Sequence, residues 1–371
     1  MKKNNTKKNK ETNLLYISPD FDYACGVSKH VYINLKYLSQ HTGYKLFFIT
    51  NNGDSLDRLE KIPGLSYSIF NFEKDHKNIF NMLADLFRLY KYCKKNKIEI
   101  IHTHHRYPEL LAVIISKLIG IKTVTTVHSF VNGLNIISFR SHKIITVSKS
   151  VEEYLKANFS HTKKRCTTMY NCIDKSFYEK ISNDLSERKK SLGYDENDKI
   201  LFFAGRISLI KGFDVLIEAF NSLPDISNAK LLIIGSVIDN QINSLLDHSN
   251  DKIKIIGPEK DIKLFYQISD LVILPSRKDP FPYVMIEAGA MEKVFIGGNT
   301  GGIAEFIEDG VNGILVEPGN SYQLANKINY LLSSPKESDD MAKALFNKVK
   351  KECNCEKYFE SLNQIYNQVL I

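Results

Sequence analysis

Two carboxylates eight residues apart, Asp279 and Glu287, stand in the stretch Pro275-Ser-Arg-Lys-Asp-Pro-Phe-Pro-Tyr-Val-Met-Ile-Glu287-Ala-Gly, with Thr300-Gly-Gly-Ile-Ala-Glu305 a dozen residues later. Pro282 presets φ for a first helical turn and has no amide to lose, so a helix is expected to start there, with Asp279 just before it and Glu287 within it. On this reading one carboxylate faces the mouth of a pocket and the other its floor. An ionised carboxylate only accepts hydrogen bonds, which suits it to the vicinal hydroxyls of a sugar or a ribose. Upstream, Leu201-Phe-Phe-Ala-Gly-Arg206-Ile-Ser-Leu-Ile-Lys211-Gly212 runs a strand into a loop with two cations five positions apart. Arg206 offers a planar fork and Lys211 a mobile point charge, a pair able to clamp a diphosphate. Gly301-Gly302 opens another helix, whose free amides and dipole favour an anion.

These loops need elements to hold them. Short β-rich runs alternate with segments of helical period: Leu14–Ser18, a helix through Val27, Val31, Leu35 and Leu38, Lys45–Thr50, Ile98–His102, a helix near Glu109–Ile119, Thr123–Val127, Lys143–Val147 and a helix to about Asn158. Ile79, Leu83, Leu86 and Leu89/Tyr90 are expected on the core face of a further helix with lysines at its C-terminal end. Residues 184–198 turn polar without apolar periodicity and read as a linker. A second β-α series starts at Ile200–Ala204 and continues through Ala229–Ile234, Lys252–Ile256, Leu271–Leu274 and Val294–Gly297 to a helical C-terminus, of which Glu356–Val369 is amphipathic. The fold class is α/β, two doubly wound domains with a cleft between them and ligands at the carboxyl ends of the strands.

The 371 residues exceed what one core usually supports. No run approaches the ~20 apolar residues of a spanning helix, and Met1–Lys10 carries no apolar signal region. Six cysteines without a Cys-x-x-Cys pair indicate neither a zinc site nor a disulfide framework, and reduced thiols fit a cytoplasmic chain. The net charge of +8 conceals an asymmetry: residues 1–180 hold 29 Lys/Arg against 15 Asp/Glu, a net of +14, and the remainder holds 21 against 27, a net of −6. Such a basic half suits something anionic, either a phosphate-bearing acceptor or a membrane surface. Its Tyr/Lys mixtures read more simply as helix faces than as a nucleic-acid surface, so no nucleic-acid partner is expected.

Gly-Arg206-x5-Gly with Lys211, then Pro-Ser-Arg…Glu287-Ala, then Gly301-Gly302-Ile-Ala-Glu resembles the retaining glycosyltransferases of family four, the group 1 glycosyl transferases with a GT-B fold. The likeness extends to Gly26-Val-Ser-Lys-His30, Thr123-Val-Thr-Thr-Val-His128, Ile145-Thr-Val-Ser148 and Tyr170-Asn171-Cys-Ile-Asp174. It implies a disordered basic tail at 1–12, an acceptor domain at 13–183, the linker at 184–198, a nucleotide-sugar donor domain at 199–353, and a C-terminal helix at 354–371 that packs back on the acceptor domain. It further implies that Arg206 and Lys211 hold the donor diphosphate with the amides around Gly301 and Gly302, that Glu287 binds the ribose, and that Asp279 grips the transferred sugar where the family has Glu. His128 would lie beside the sugar, and Gly26 in a flexible loop near phosphate and acceptor, with Cys25 where a second glycine is common. The implied enzyme moves a hexose-type sugar from a nucleoside-diphosphate donor to a hydroxyl on a polysaccharide, glycolipid or lipid-linked saccharide, with retention and with neither metal nor cofactor. The basic clusters Lys2–Lys10, Lys91–Lys97 and Lys163–Arg165 add an expectation of peripheral contact with anionic membrane.

Two other classes compete. His102-Thr-His104-His105 matches the paired ligands of a metal-dependent hydrolase. A non-catalytic nucleotide-sugar-binding protein would keep the fold without the chemistry. Asp20-Phe21-Asp22 matches a short metal-binding motif of other transferases but reads better as turn carboxylates.

Overall fold

The computed structural model describes residues 11–41, 43–72, 78–179, 185–224, 228–242 and 252–371. Residues 1–10 of the expected basic tail at 1–12 and the first residue of the expected linker, 184, lie outside the described residues, while Thr12 of that tail already belongs to the first strand. The chain divides into two compact lobes, one formed by residues 1–146, 155–167 and 362–371, the other by 147–154 and 168–361.

The first lobe is built on a seven-stranded sheet in the order β3-β2-β1-β4-β5-β6-β7, with β1 Thr12–Ile17, β2 Tyr44–Thr50, β3 Ser66–Ile69, β4 Ile100–Thr103, β5 Lys122–Val127, β6 Lys143–Thr146 and β7 Cys166–Thr168. Pairing from β3 through β6 is parallel, with Leu14 opposite Leu46 on one side and Ile100 on the other. Leu14, Leu15, Tyr16 and Ile17 are all buried, as a central parallel strand covered on both faces requires. The covering helices are α1 Gly26–Ser39, α2 Ile79–Lys95, α3 Arg106–Ile119 and α4 Lys149–Asn158. The strand order reverses between β1 and β4, where ligands of doubly wound sheets collect.

Two polar devices hold this lobe. Glu109 on α3 is fully buried and accepts from the amides of Phe139, Arg140 and Ser141 and from Ser141 Oγ, fixing the loop before β6. Burial pushes its pKa up and those four donors pull it back, so the loop is anchored on a carboxylate. The second device comes from the far end of the chain. Tyr366 Oη lies 2.6 Å from Tyr16 Oη and 2.7 Å from His102 Nδ1, while His102 Nε2 lies 2.8 Å from Thr126 Oγ1.

The second lobe carries a six-stranded sheet in the order β10-β9-β8-β11-β12-β13, namely β8 Lys199–Ala204, β9 Ala229–Ile234, β10 Ile253–Ile256, β11 Leu271–Leu274, β12 Val294–Gly298 and β13 Ile314–Val316. Its helices are α5 Leu185–Ser191, α6 Phe213–Asn221, α7 Lys263–Ile268, α8 Tyr283–Ala290, α9 Gly301–Phe306, α10 Ser321–Ser333 and α11 Pro335–Glu352, with the start of α12 Cys355–Leu370, whose residues from 362 on belong to the first lobe.

Three expectations need correction. Residues 185–191 of the expected linker form α5, because Leu185-Ser-Glu-Arg-Lys-Lys-Ser is made of good helix formers even without an apolar stripe. The expected boundary at 183 lies too late, since 168–179 belongs with the second lobe. There Asn171 Nδ2 donates to Phe281 O at 3.0 Å, and Tyr170 stacks on Phe281 with centroids 4.8 Å apart. Of the residues expected on the core face of α2, Leu89 is buried and Leu86 and Tyr90 pack against the core, but Ile79 and Leu83 face outward, and Cys93 completes the buried stripe. Among the described residues no helix is long and apolar enough to cross a membrane.

Tyr366→Phe should lower the unfolding free energy by about 1–3 kcal/mol, because the hydroxyls and imidazole it leaves are buried. Urea denaturation of the variant beside the parent chain checks this.

Candidate functional site

In the second lobe, the loops at the carboxyl edge of the sheet are pressed backbone to backbone. Gly212, with φ +70°, ends the loop that leaves β8, and a Cβ there would sit 2.0 Å from Pro275 O at the end of β11. A Cβ on Gly302, in the first turn of α9, would sit 1.9 Å from Pro280 O. Only glycine permits such approaches. They bring the Arg206–Lys211 loop, the Asp279 loop and the start of α9 together. A fork from Arg277 to both carboxylate oxygens of Asp214, at 2.6 and 2.7 Å, ties the β11 loop to α6. Burial raises the Asp214 pKa, but the Arg277 hydrogen bonds and charge outweigh it and hold the carboxyl below its usual range.

Within this frame Lys211 Nζ lies 2.5 Å from Asp279 Oδ2, and Ser276 Oγ donates to the same oxygen at 3.3 Å. Asp279 is 2% exposed, so the pair is nearly dry and its attraction correspondingly strong. Glu287 is buried on α8, where Tyr266 Oη from α7 donates to its Oε2 at 2.6 Å. Burial, and then the Glu287 charge, push the Tyr266 phenol well up, so it stays a donor. Arg206 is exposed and makes no ion pair among the described residues. Lys211, Arg206, Asp279 and Glu287 are thus one paired cation, one exposed cation and two buried carboxylates, residue types that can bind a polyol and an anion.

The Gly301-Gly302 turn is arranged differently from the expectation. Gly302 N donates to Asp279 O at 3.0 Å, so that amide holds the loop rather than facing a ligand. Gly301, with φ +50°, keeps the first amide of α9, which has no acceptor within the helix. Helix α8, which carries Glu287, begins at Tyr283 with Pro282 as its cap, one residue later than the proline alone suggests. Glu305, the last residue of the Gly-Gly-Ile-Ala-Glu motif, accepts from the amides of Lys149 and Ser150 at the start of α4, and from Tyr170 Oη at 2.6 Å. The motif therefore anchors structure.

The first lobe contributes its own cavity of about 370 Å³, lined by Asp20, Tyr107, Val127, Phe139 and by His104 and His128. His104 Nδ1 and His128 Nε2 are 3.0 Å apart. Burial, and then the neighbouring imidazoles, hold both pKa values well below the ordinary histidine value. His102 has both nitrogens engaged by Tyr366 and Thr126, so the metal-hydrolase pairing of His102 with His104 is not formed. Gly26 is the exposed first residue of α1 rather than part of the preceding loop, and Cys25 is that helix's N-cap without a side-chain hydrogen bond. Asp20 Oδ2 lies 3.3 Å from His105 Nε2, and Asp22 Oδ1 accepts from Asp54 N, so Asp20-Phe-Asp22 is a pair of turn carboxylates.

Comparison with known proteins decides the family. A profile described as Glycosyltransferase Family 4 matches residues 24–177, and one described as Glycosyl transferases group 1 matches residues 184–348. The chain belongs to the family-four glycosyltransferases. It is 28% identical over 359 residues to N-acetyl-alpha-D-glucosaminyl L-malate synthase of Bacillus anthracis, covering 88% of this chain and 90% of that one. A glycosyltransferase structure from Rickettsia africae superposes with a TM-score of 0.82 at 24% identity, covering 97% of this chain and 99% of that one. Anabaena HepE in complex with UDP-glucose superposes with a TM-score of 0.84 at 17% identity, covering 96% and 100%. The fold of this glycosyltransferase is GT-B.

Sequence reading did not find Tyr266, Ser276 or Tyr170 as partners of the acidic residues in this transferase. Tyr266 stands in Lys263-Leu-Phe-Tyr-Gln-Ile, where it is indistinguishable from a core aromatic. Gly212→Ala should lower the melting temperature by several degrees and abolish nucleoside-diphosphate binding. Gly310→Ala shares the positive φ, +74°, but meets no neighbouring atom within 4 Å, so it should cost only about 1–2 kcal/mol. Thermal melts and equilibrium dialysis of the two variants separate the clash from the backbone strain.

Proposed function

We propose that the protein transfers a hexose-type sugar from a nucleoside-diphosphate donor to a hydroxyl acceptor with retention of configuration. The observation that carries this reading is the 2.5 Å pairing of Lys211 with the buried Asp279 across the loops that leave β8 and β11, the first of which also carries Arg206 and the second of which leads into the helix of Glu287. Glu287, oriented by Tyr266, grips the ribose hydroxyls. Arg206 and Lys211 meet the diphosphate, and Lys211 does so without leaving Asp279, because its ammonium has three donors. Asp279, one methylene shorter than the family's glutamate, takes a sugar hydroxyl on its second oxygen.

In the transfer, the bond between the anomeric carbon and the diphosphate oxygen breaks while a bond to the acceptor oxygen forms on the same face. The acceptor proton passes to the departing phosphate oxygen. Charge developing on the diphosphate is met by Arg206, by Lys211 and by the first amide of α9, so the step needs neither a protein nucleophile nor a metal. The family resemblance gives His128 the role of contacting the transferred sugar. The UDP-glucose complex of the structurally similar Anabaena protein supports starting a donor panel with uridine nucleotides.

Purified protein incubated with a panel of nucleotide sugars should release nucleoside diphosphate from one of them. Arg206→Ala and Glu287→Gln should each lower kcat/KM about 10- to 150-fold, the equivalent of losing a charge-assisted hydrogen bond of about 1.5–3 kcal/mol. Unchanged turnover in both variants would remove the site assignment.

The acceptor reading is a lipid-linked or glycolipid saccharide presented at an anionic membrane. Its support is the outward face of α2, where Phe80, Leu83 and Phe87 are 77%, 52% and 57% exposed in two successive turns, followed by exposed Lys91, Lys94 and Lys95. An apolar patch followed by cations matches an interfacial helix, and each near-surface cation contributes about 1 kcal/mol. The other mapped cluster, Lys163–Arg165, differs, since the Arg165 guanidinium is engaged by the carbonyls of Arg140, Ser141 and His161. Flotation with vesicles rich in anionic lipid should carry the protein at low salt and lose it in the double variant Phe80→Asp, Phe87→Asp. Equal flotation with neutral vesicles would end the membrane reading.

A further inference from the structure

Three imidazoles converge at the carboxyl edge of the first sheet. His30 comes from α1, His104 directly follows β4 and His128 directly follows β5, and one ring nitrogen from each falls within 4.8 Å of the other two. The His104 and His128 nitrogens are 3.0 Å apart, and the His30 ring meets His128 nearly edge-on with centroids 4.7 Å apart. Nitrogens on one tetrahedral zinc ion, each bound at 2.0–2.1 Å, are about 3.3 Å apart, so the present spacing is within a small relaxation of coordination. Among the described residues no other three His, Cys, Asp or Glu side chains come together in this way.

The His104–His128 contact shares one proton between two rings, and a cation accepts a lone pair from each ring instead. Outer contacts already fix the rings: Asn34 Nδ2 lies 3.2 Å from His30 Nε2, which makes Nδ1 the coordinating atom of that ring, and His104 stacks on His102 with centroids 4.6 Å apart. The amide oxygen and nitrogen of Asn34 are interchangeable by rotation, and with Oδ1 turned inward it accepts the Nε2 proton of a metal-bound His30. Both rings also line the 370 Å³ cavity, which supplies room for a fourth ligand.

We propose that His30, His104 and His128 form a binding site for a zinc-class divalent cation, with three imidazole ligands and a fourth position open to the cavity. Nitrogen ligands select zinc, cobalt, nickel or copper and disfavour magnesium and calcium. The cation takes no part in the transfer chemistry. If His128 stands beside the sugar, a consequence that rests on the function proposed above, the bound cation removes its nitrogen from the substrate and inhibits turnover.

The test uses the full chain, treated with chelator and then dialysed. Co²⁺ titration should give the intense visible bands of a tetrahedral site, saturating at one equivalent and displaced by Zn²⁺, and X-ray absorption of the zinc form should count three imidazoles. His30→Asn should weaken Zn²⁺ binding at least tenfold, while His161→Asn on the same lobe should leave it unchanged. Substoichiometric binding, two or fewer imidazoles, or unaltered affinity in His30→Asn would overturn the site. The wild-type spectra decide the matter even if His30→Asn does not fold. Zinc should also inhibit donor turnover in the parent chain and not in His30→Asn; stoichiometric binding without inhibition would keep the site and refute the placement of His128 beside the sugar.

Discussion

The second lobe depends on backbone crowding at the carboxyl edge of its sheet. Gly212 against Pro275 and Gly302 against Pro280 leave no space for a side chain. Loops from three different strand ends are thereby held close enough for Lys211 to reach Asp279 and for Gly302 to hydrogen-bond the Asp279 carbonyl. A buried ion pair of this kind contributes little net stability by itself, because desolvating both charges cancels much of their attraction. Its position is secured instead by steric contact, which has no desolvation cost. The lobe therefore presents preorganised charge, the property that transition-state stabilisation demands.

The two lobes solve the same architectural problem with different materials. In the second, glycine contacts bring the loops together and charges complete the site. In the first, buried hydrogen bonds do the joining: Glu109 gathers three amides of one loop, and Tyr366 links two strands through Tyr16 and His102. Each imidazole near the cavity is then set by what its neighbour leaves open, with His102 satisfied on both sides and His104 on one.

Much of the fold was legible because parallel strands covered on both faces leave runs such as Leu14–Ile17 and Leu271–Leu274 that no helix period explains. The edge strands β3 and β13 escaped notice, being three or four residues long with weak apolar content or no flanking signal. The loops that hold Arg206, Lys211, Asp279 and Glu287 stood out by residue type, since each of these side chains carries chemistry a core does not need. Their pairings were not, because the partners Tyr266 and Ser276 look like ordinary packing residues and the contacts are long-range in sequence. The outward turn of Ile79 and Leu83 was hidden for a related reason: periodicity identifies an apolar stripe but not which stripe meets the sheet when a helix has two.

Tyr366 has one more implication. Its hydroxyl completes a network whose other members, Tyr16, His102 and Thr126, lie within the first 126 residues of the chain. During synthesis those strands leave the ribosome long before the segment that closes their polar core, so the first lobe remains open at one side while the whole second lobe is being made. At elongation rates of about 5–20 residues per second the delay is tens of seconds at most, and for that time the nascent chain exposes a buried histidine and two strand faces to solvent. The order in which the ribosome delivers the residues thus makes the earliest part of the protein the last to be finished.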